Sequence, residues 1–333
     1  MRYRQIGEHP ETRREVSVLC FGAMLLGTAV DEPTAFALLD RFAAAGGTFI
    51  DTANNYAFWL TGSQGGESEV LLGRWRRSRG ITDEVVIATK LGGRLRRPGV
   101  TFEEAARLDN VEGLSAAAIR GSARRSLEAL GMQRLDLLYA HLDDPATPLA
   151  ETVEAFGALV GEGAIGLLGV SNQWTWRVEE ARTLARQSGV RAYEVLQYHF
   201  TYLRPRTDFP GRRSPDGEPG IAGGEVLSYL RARPSLAAVA YSPLLRGAYV
   251  RDDKPLGPEY DHAGTAARMD ALRDVARQTG ATLNQVVLAW LMGGDIPMIP
   301  LVSASTIAQL DESLEAVDLE LTAEQRARLD DAR

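Results

Sequence analysis

The chain has 333 residues, of which 45% are hydrophobic and 24% charged, an ordinary globular composition with ample length for a large core. A formal net charge of -7 leaves no basic footprint for nucleic acid. No apolar stretch is long enough to span a bilayer, and Met1-Arg-Tyr-Arg-Gln-Ile-Gly lacks the apolar run of a secretory signal, so the expectation is a cytoplasmic protein with no membrane partner.

In chain order, residues 3–8 and 14–19 are expected to pair as a hairpin capping one end of the molecule. Apolar, β-branched runs then recur near residues 18–23, 48–53, 85–91, 135–141, 164–171, 194–200, 237–243 and 297–302, with helical patterns between them. Such alternation implies parallel strands joined by helical crossovers, and eight units close a barrel. We therefore expect an α/β chain, a single (β/α)8 TIM barrel over residues 1–333, with an N-terminal β-hairpin, extra helices and a long loop after the sixth strand.

Pro33 sits near the start of one helix, with Phe36, Leu39 and Phe42 expected on its inner face. Ser115 is placed to cap another, with Ile119, Ala123, Leu127 and Leu130 on one face, Gly131 as its stop and Arg120, Arg124 and Arg125 in solvent. After the seventh strand, Met269, Leu272, Val275 and Ala276 mark one helix. Leu283, Val286, Val287 and Trp290 mark a second, expected to be the extra one outside the barrel. Residues 203–223, rich in Pro and Gly, are expected to form a lid over the catalytic face rather than an inert linker. The single cysteine, Cys20, reads as a small buried apolar residue. His9, His141, His199 and His262 show no ligand spacing for a metal.

Asp51, Lys90 and His141 each stand at the downstream end of an apolar run, and Tyr56 lies in the loop after Asp51. In an α/β barrel the strand C-termini form one rim, where catalysis is expected. Asp51-Thr-Ala-Asn-Asn-Tyr56, Ala88-Thr-Lys90, Tyr139-Ala-His141, Gly169-Val-Ser-Asn172 and Tyr241-Ser-Pro-Leu244 occur in the order found in the aldo-keto reductase superfamily, which the chain resembles over nearly its whole length.

That resemblance implies NAD(P)H-dependent, reversible reduction of an aldehyde, ketone or oxidised sugar to an alcohol. No side chain donates hydride, so the donor must be a cofactor. Tyr56 can supply the proton. A free tyrosine, with pKa about 10, is a reluctant acid near neutrality, so Lys90 is expected to ease proton release and Asp51 to hold Lys90 in place and charged. His141 can either stabilise the substrate oxygen or relay a proton to Tyr56.

Phe21-Gly-Ala-Met-Leu-Leu-Gly lacks a dinucleotide fingerprint, which disfavours a Rossmann dehydrogenase. Resemblance instead implies that Ser171, Asn172 and Gln197 bind the nicotinamide carboxamide and that Tyr241 stacks on its ring. It further implies that Ser242, Pro243, Leu244, Arg246 and Gly247 form a pyrophosphate loop, with Arg251 and Lys254 as further cations, and that Ser303, Ser305, Gln309 and Glu312 meet the adenosine end. NADP(H) is the family expectation. Ser303-Ala-Ser-Thr306 stands where many relatives carry a basic grip for the 2′-phosphate, which makes NAD(H) use more plausible than usual. Phe58, Trp59 and Trp174, with Leu60 and Trp176, are candidate substrate-pocket residues. The resemblance also admits a different class, a cofactor-binding regulatory subunit like the potassium-channel β subunits, ranked below an enzyme.

Overall fold

A computed structural model of the chain describes residues 1–60, 63–97, 110–206, 208 and 217–333. β1 (Tyr3–Ile6) and β2 (Arg14–Ser17) pair antiparallel. Eight strands then alternate with helices: β3 (Cys20–Gly22), β4 (Phe49–Asp51), β5 (Val86–Leu91), β6 (Leu135–Ala140), β7 (Ile165–Ser171), β8 (Val195–His199), β9 (Ala237–Tyr241) and β10 (Ile299–Val302). They pair in parallel and close into a barrel in the order β10-β3-β4-β5-β6-β7-β8-β9. Each of the eight expected runs contains one strand. Strands buried on both faces read as continuous apolar runs, which is why they stand out.

Inside the barrel, Cys20, Phe49, Val86, Tyr139, Leu167, Val195, Ala237 and Ile299 form one core, joined by Ile6 and Val16 of the hairpin. Most of these residues open their strands, so the hairpin plugs the N-terminal end and leaves the C-terminal rim for the site. Cys20 is fully buried there.

The larger core lies between strands and helices. α1 (Glu32–Ala44) is capped by Asp31, which accepts a hydrogen bond from Thr34 N at 2.9 Å, and Pro33 occupies its first turn. Its buried face is Ala35, Leu38, Leu39 and Phe42. Phe36, one position off that stripe, is partly buried against the same core, with the Arg79 guanidinium 5.4 Å from its ring centroid. After α2 (Glu67–Arg79), α3 (Ala116–Leu130) begins at Ser115 and ends at Gly131, whose φ of 64° suits a residue without Cβ. On its surface Arg120 bridges to Glu162 and Arg125 to Glu112, at 2.9 and 3.0 Å. α4 (Leu149–Gly161), α5 (Thr175–Gln187) and α6 (Gly224–Ala232) follow in turn.

The two helices before β10 reverse our expectation. α8 (Leu283–Met292) packs against β10 and is buried from Asn284 to Met292, whereas α7 (Ala263–Thr279) lies outside it, against α8 and the C-terminal α10 (Ala323–Asp330). An apolar stripe on one face suits an outer helix and near-continuous apolarity suits an enclosed one. α9 (Ile307–Glu315) completes the ring. No helix among the described residues is long and apolar enough to cross a membrane.

Candidate active site

Asp51 is the last residue of β4, Lys90 the penultimate residue of β5, and His141 follows β6, so adjacent strands carry the three to one rim. Lys90 is fully buried, and its ammonium has three donors. One goes to Asp51 Oδ1, one to Thr52 O at 2.8 Å and one to the Tyr56 hydroxyl at 2.7 Å. Gln197 Nε2 donates to the other Asp51 oxygen at 2.8 Å. A buried ion pair is tolerated only when its remaining hydrogen-bonding capacity is met, and here the donors are spent on named partners.

Burial pushes the Asp51 carboxyl up from the usual carboxylate range and the Lys90 ammonium down from its own, while the opposite charge of each partner pulls back. Tyr56 departs from expectation. Lys90 makes the anticipated hydrogen bond, yet burial and then the Asp51 charge raise the phenol pKa well above its usual value. At neutral pH the hydroxyl therefore stays protonated, the form a proton donor requires. Lys90 Nζ, 2.7 Å from that oxygen, is the nearest cation to any negative charge that would form on it.

The His141 ring meets Tyr56 edge-on, with centroids 5.8 Å apart and planes at 82°. Its carbonyl accepts from Asn172 Nδ2 at 2.9 Å, and the same nitrogen donates to Ser171 Oγ at 3.1 Å. Ser171 Oγ donates to Gln197 O at 2.8 Å, and Tyr241 OH donates to Asn172 Oδ1 at 2.8 Å. Ser171, Asn172, Gln197 and Tyr241 are thus one network. Gly220 closes against Asn172: its φ is 140°, and a Cβ there would lie 2.3 Å from Asn172 Oδ1.

Among the described residues, the non-glycine positions with left-handed backbone are Ala57, Asn172, Ser242, Leu245 and Arg246. All five follow strand C-termini on this rim. Such conformations cost about 1–3 kcal/mol each and collect at functional sites. In the loop after β9, Pro243 is buried and its carbonyl accepts from Thr201 Oγ1 at 2.5 Å, while Leu244 and Gly247 are half-buried and Arg246 is exposed. Arg251 is held by Asp253 through two bonds of 2.6 and 2.9 Å, so its fork is already occupied.

After β10, Ser303 Oγ donates to Gly22 O at 3.1 Å, and Thr306 caps α9. Ser305 Oγ and N both donate to Gln309 Oε1, at 3.0 and 2.9 Å. Glu312 points away from this turn, accepting from Thr282 Oγ1 at 2.7 Å and Asn284 Nδ2 at 3.2 Å. No group of metal ligands occurs among the described residues.

Phe58 and Trp59 pack edge to face at 5.0 Å, and Trp174 sits at the start of α5 with Gly217 beside its ring. Trp176 is 61% exposed and turned to solvent, so it leaves the pocket set. Of the expected lid, residues 207 and 209–216 lie outside the described residues. Its return limb runs beside the site: His199 N donates to Gly220 O at 2.6 Å and Ala222 N to His199 O at 2.9 Å.

The bond from Gln197 to Asp51 escaped sequence reading, because nothing in the spacing of residues 146 apart signals it. His199 was missed too. Its partly buried ring meets Tyr241 edge-on at 5.5 Å, and burial lowers its pKa to about 4. The folded state thus binds its proton less readily than the unfolded chain, so this site costs stability as pH falls from about 6.5 towards 4, by up to about 3 kcal/mol. His199→Phe is expected to flatten the denaturation midpoint across that window. An acid limb as steep as the parent's would assign the loss to other groups.

The chain matches the family model described as the aldo/keto reductase family over residues 18–333. It is similar to norsolorinic acid reductase B of Aspergillus parasiticus, at 32% identity over 99% of this chain and 84% of the relative. It is also similar to the aldo-keto reductase ausK of Emericella nidulans, at 30% over 97% and 79%. An aryl-alcohol dehydrogenase of Pestalotiopsis microspora is 28% identical over 96% and 80%.

Proposed function

The chain belongs to the aldo/keto reductase family, and we propose that it is a cytoplasmic, NAD(P)H-dependent reductase of aromatic aldehydes or ketones with Tyr56 as the proton donor. The observation that carries this reading is the Lys90 ammonium bonded at once to Asp51 and to the Tyr56 hydroxyl. A carbonyl oxygen beside Tyr56 and His141 meets a donor that is protonated at rest. As charge builds on that oxygen, Tyr56 gives up its proton and the phenolate forms 2.7 Å from the ammonium. His141 orients the oxygen by hydrogen bonding.

Ser171, Asn172 and Tyr241 would hold the nicotinamide end, residues 242–247 the pyrophosphate, and Ser303, Ser305 and Gln309 the adenosine. The left-handed residues 242, 245 and 246 fit that assignment. Once bound, the reduced nicotinamide supplies the hydride. The names of the relatives that reduce norsolorinic acid or oxidise aryl alcohols favour an aromatic substrate over a sugar, and Phe58, Trp59 and Trp174 are able to stack on such a ring. A panel of benzaldehydes, aryl ketones, aliphatic aldehydes and sugars, assayed by nicotinamide absorbance with NADPH and NADH, tests this. Aromatic carbonyls should lead in kcat/KM by about tenfold or more. A sugar at the head of the panel would refute the assignment.

For cofactor choice we expect a small preference for NADP(H) over NAD(H), since the exposed turn after β10 offers serines and no guanidinium. Ser305→Arg should tighten NADP binding about tenfold and leave NAD binding unchanged, through a charge-assisted bond to the 2′-phosphate. Titration of both cofactors decides it. A wild type already strongly selective for NADP, with no gain from arginine, would hand the phosphate to another cation such as Arg246.

A further inference from the structure

Glu112 lies just before α3, and neither its sequence neighbours nor its position marks it as part of the site. Its carboxylate is nevertheless the point where three segments meet. Asn54 Nδ2, from the loop between Asp51 and Tyr56, donates to Glu112 Oε1 at 2.8 Å. Gly92 N, two residues beyond Lys90, donates to the same oxygen at 2.9 Å. The other oxygen accepts from Ser122 Oγ at 2.5 Å and Arg125 at 3.0 Å, both on α3. The side chain is 13% exposed, so water cannot freely replace these partners.

One oxygen therefore ties the loop that carries Tyr56 to the strand exit that carries Lys90, and the other anchors that tie to a helix. Two further bonds run along the same seam: Asn54 N to Lys90 O at 3.1 Å and Asn55 Nδ2 to Gly93 O at 2.8 Å. The contact between Lys90 Nζ and the Tyr56 hydroxyl depends on how these two segments lie against each other. A displacement of about 1 Å in a reacting constellation can cost on the order of a hundredfold in rate.

We propose that Glu112 is a positioning residue for the reaction, setting the Tyr56 loop against the end of the Lys90 strand through Asn54 and Gly92. It touches neither substrate nor cofactor, and the proposal rests on the reading of Tyr56 as proton donor. Glu112→Ala removes both links. Glu112→Gln keeps an oxygen for Asn54 and Gly92 but turns an NH2, which accepts nothing, towards Ser122 and Arg125, so it gives up the charge and the anchor on α3 while both links across the seam remain.

The test compares these variants with Asn54→Ala, Tyr56→Phe and the parent, using steady-state rates, the primary isotope effect with 4-deuterated NADPH, and cofactor affinity by fluorescence titration. Glu112→Ala should lose about 10- to 100-fold in kcat, keep cofactor affinity within about twofold and show a larger isotope effect, because the chemical step becomes more limiting. Glu112→Gln should recover most of the rate. Asn54→Ala, which cuts one of the two links, should fall between the parent and Glu112→Ala. If Glu112→Ala does not fold, Asn54→Ala and Glu112→Gln decide the matter through the same readouts. Folded Glu112→Ala, or in its absence Asn54→Ala, turning over at the parent's rate beside an inactive Tyr56→Phe overturns the positioning role alone. An active Tyr56→Phe overturns the reading beneath it.

Discussion

Tyr56→Phe is expected to lower carbonyl reduction by about 10²–10⁴-fold, the usual worth of a positioned general acid, while cofactor affinity stays near that of the parent. The ring keeps its edge contact with His141, and only the hydroxyl that meets Lys90 Nζ is lost. Because burial holds that phenol protonated well above neutrality, the parent's reductive rate should not fall on its alkaline side through Tyr56 ionisation near pH 10. Stopped-flow measurement of the chemical step, with folding checked by circular dichroism, separates lost catalysis from lost structure. Turnover close to the parent's in a folded variant would remove Tyr56 from the acid role.

Lys90→Met is expected to be the most damaging change to stability as well as to rate. It leaves the Asp51 carboxylate buried with Gln197 as its remaining donor apart from the long contact at Tyr56, and stranding one member of a buried pair costs about 3–5 kcal/mol. The sign of its pH dependence follows from burial. With the Lys90 charge gone, the already raised pKa of Asp51 rises further, so the folded variant takes up a proton before the unfolded chain does. The deficit should be largest near neutrality and shrink as pH falls through the folded pKa towards the ordinary value of 3.8. Denaturant titrations at several pH values check this. Adding Asp51→Asn to Lys90→Met should restore stability without activity, and a deficit independent of pH would mean that Asp51 is not the stranded group.

Much of the architecture was legible because parallel barrel strands announce themselves as unbroken apolar runs, and caps such as Ser115 and Gly131 mark where helices stop. That Asp51, Tyr56, Lys90 and His141 meet on one rim was legible, three of them from strand ends and Tyr56 from the loop after Asp51. Residues whose role depends on a partner far along the chain were not: Gln197 on Asp51, and Glu112 on Asn54 and Gly92. The order of the two helices before β10 was readable in principle, since Leu283-Asn-Gln-Val-Val-Leu-Ala-Trp-Leu-Met292 is apolar on nearly every side and thus marked for enclosure. The direction of the Tyr56 shift was not readable, since it depends on how completely the site excludes water.

The most direct test of the central claim follows the label from NADPH deuterated at C4 of the nicotinamide into the alcohol formed from an aromatic aldehyde. The account predicts one deuterium on the carbinol carbon from only one of the separately labelled 4R and 4S forms, because the network of Ser171, Asn172 and Tyr241 would fix the ring, and only a trace of labelled product with Tyr56→Phe. Stable cofactor binding with no labelled alcohol across the panel, or label appearing from both faces alike, would contradict it.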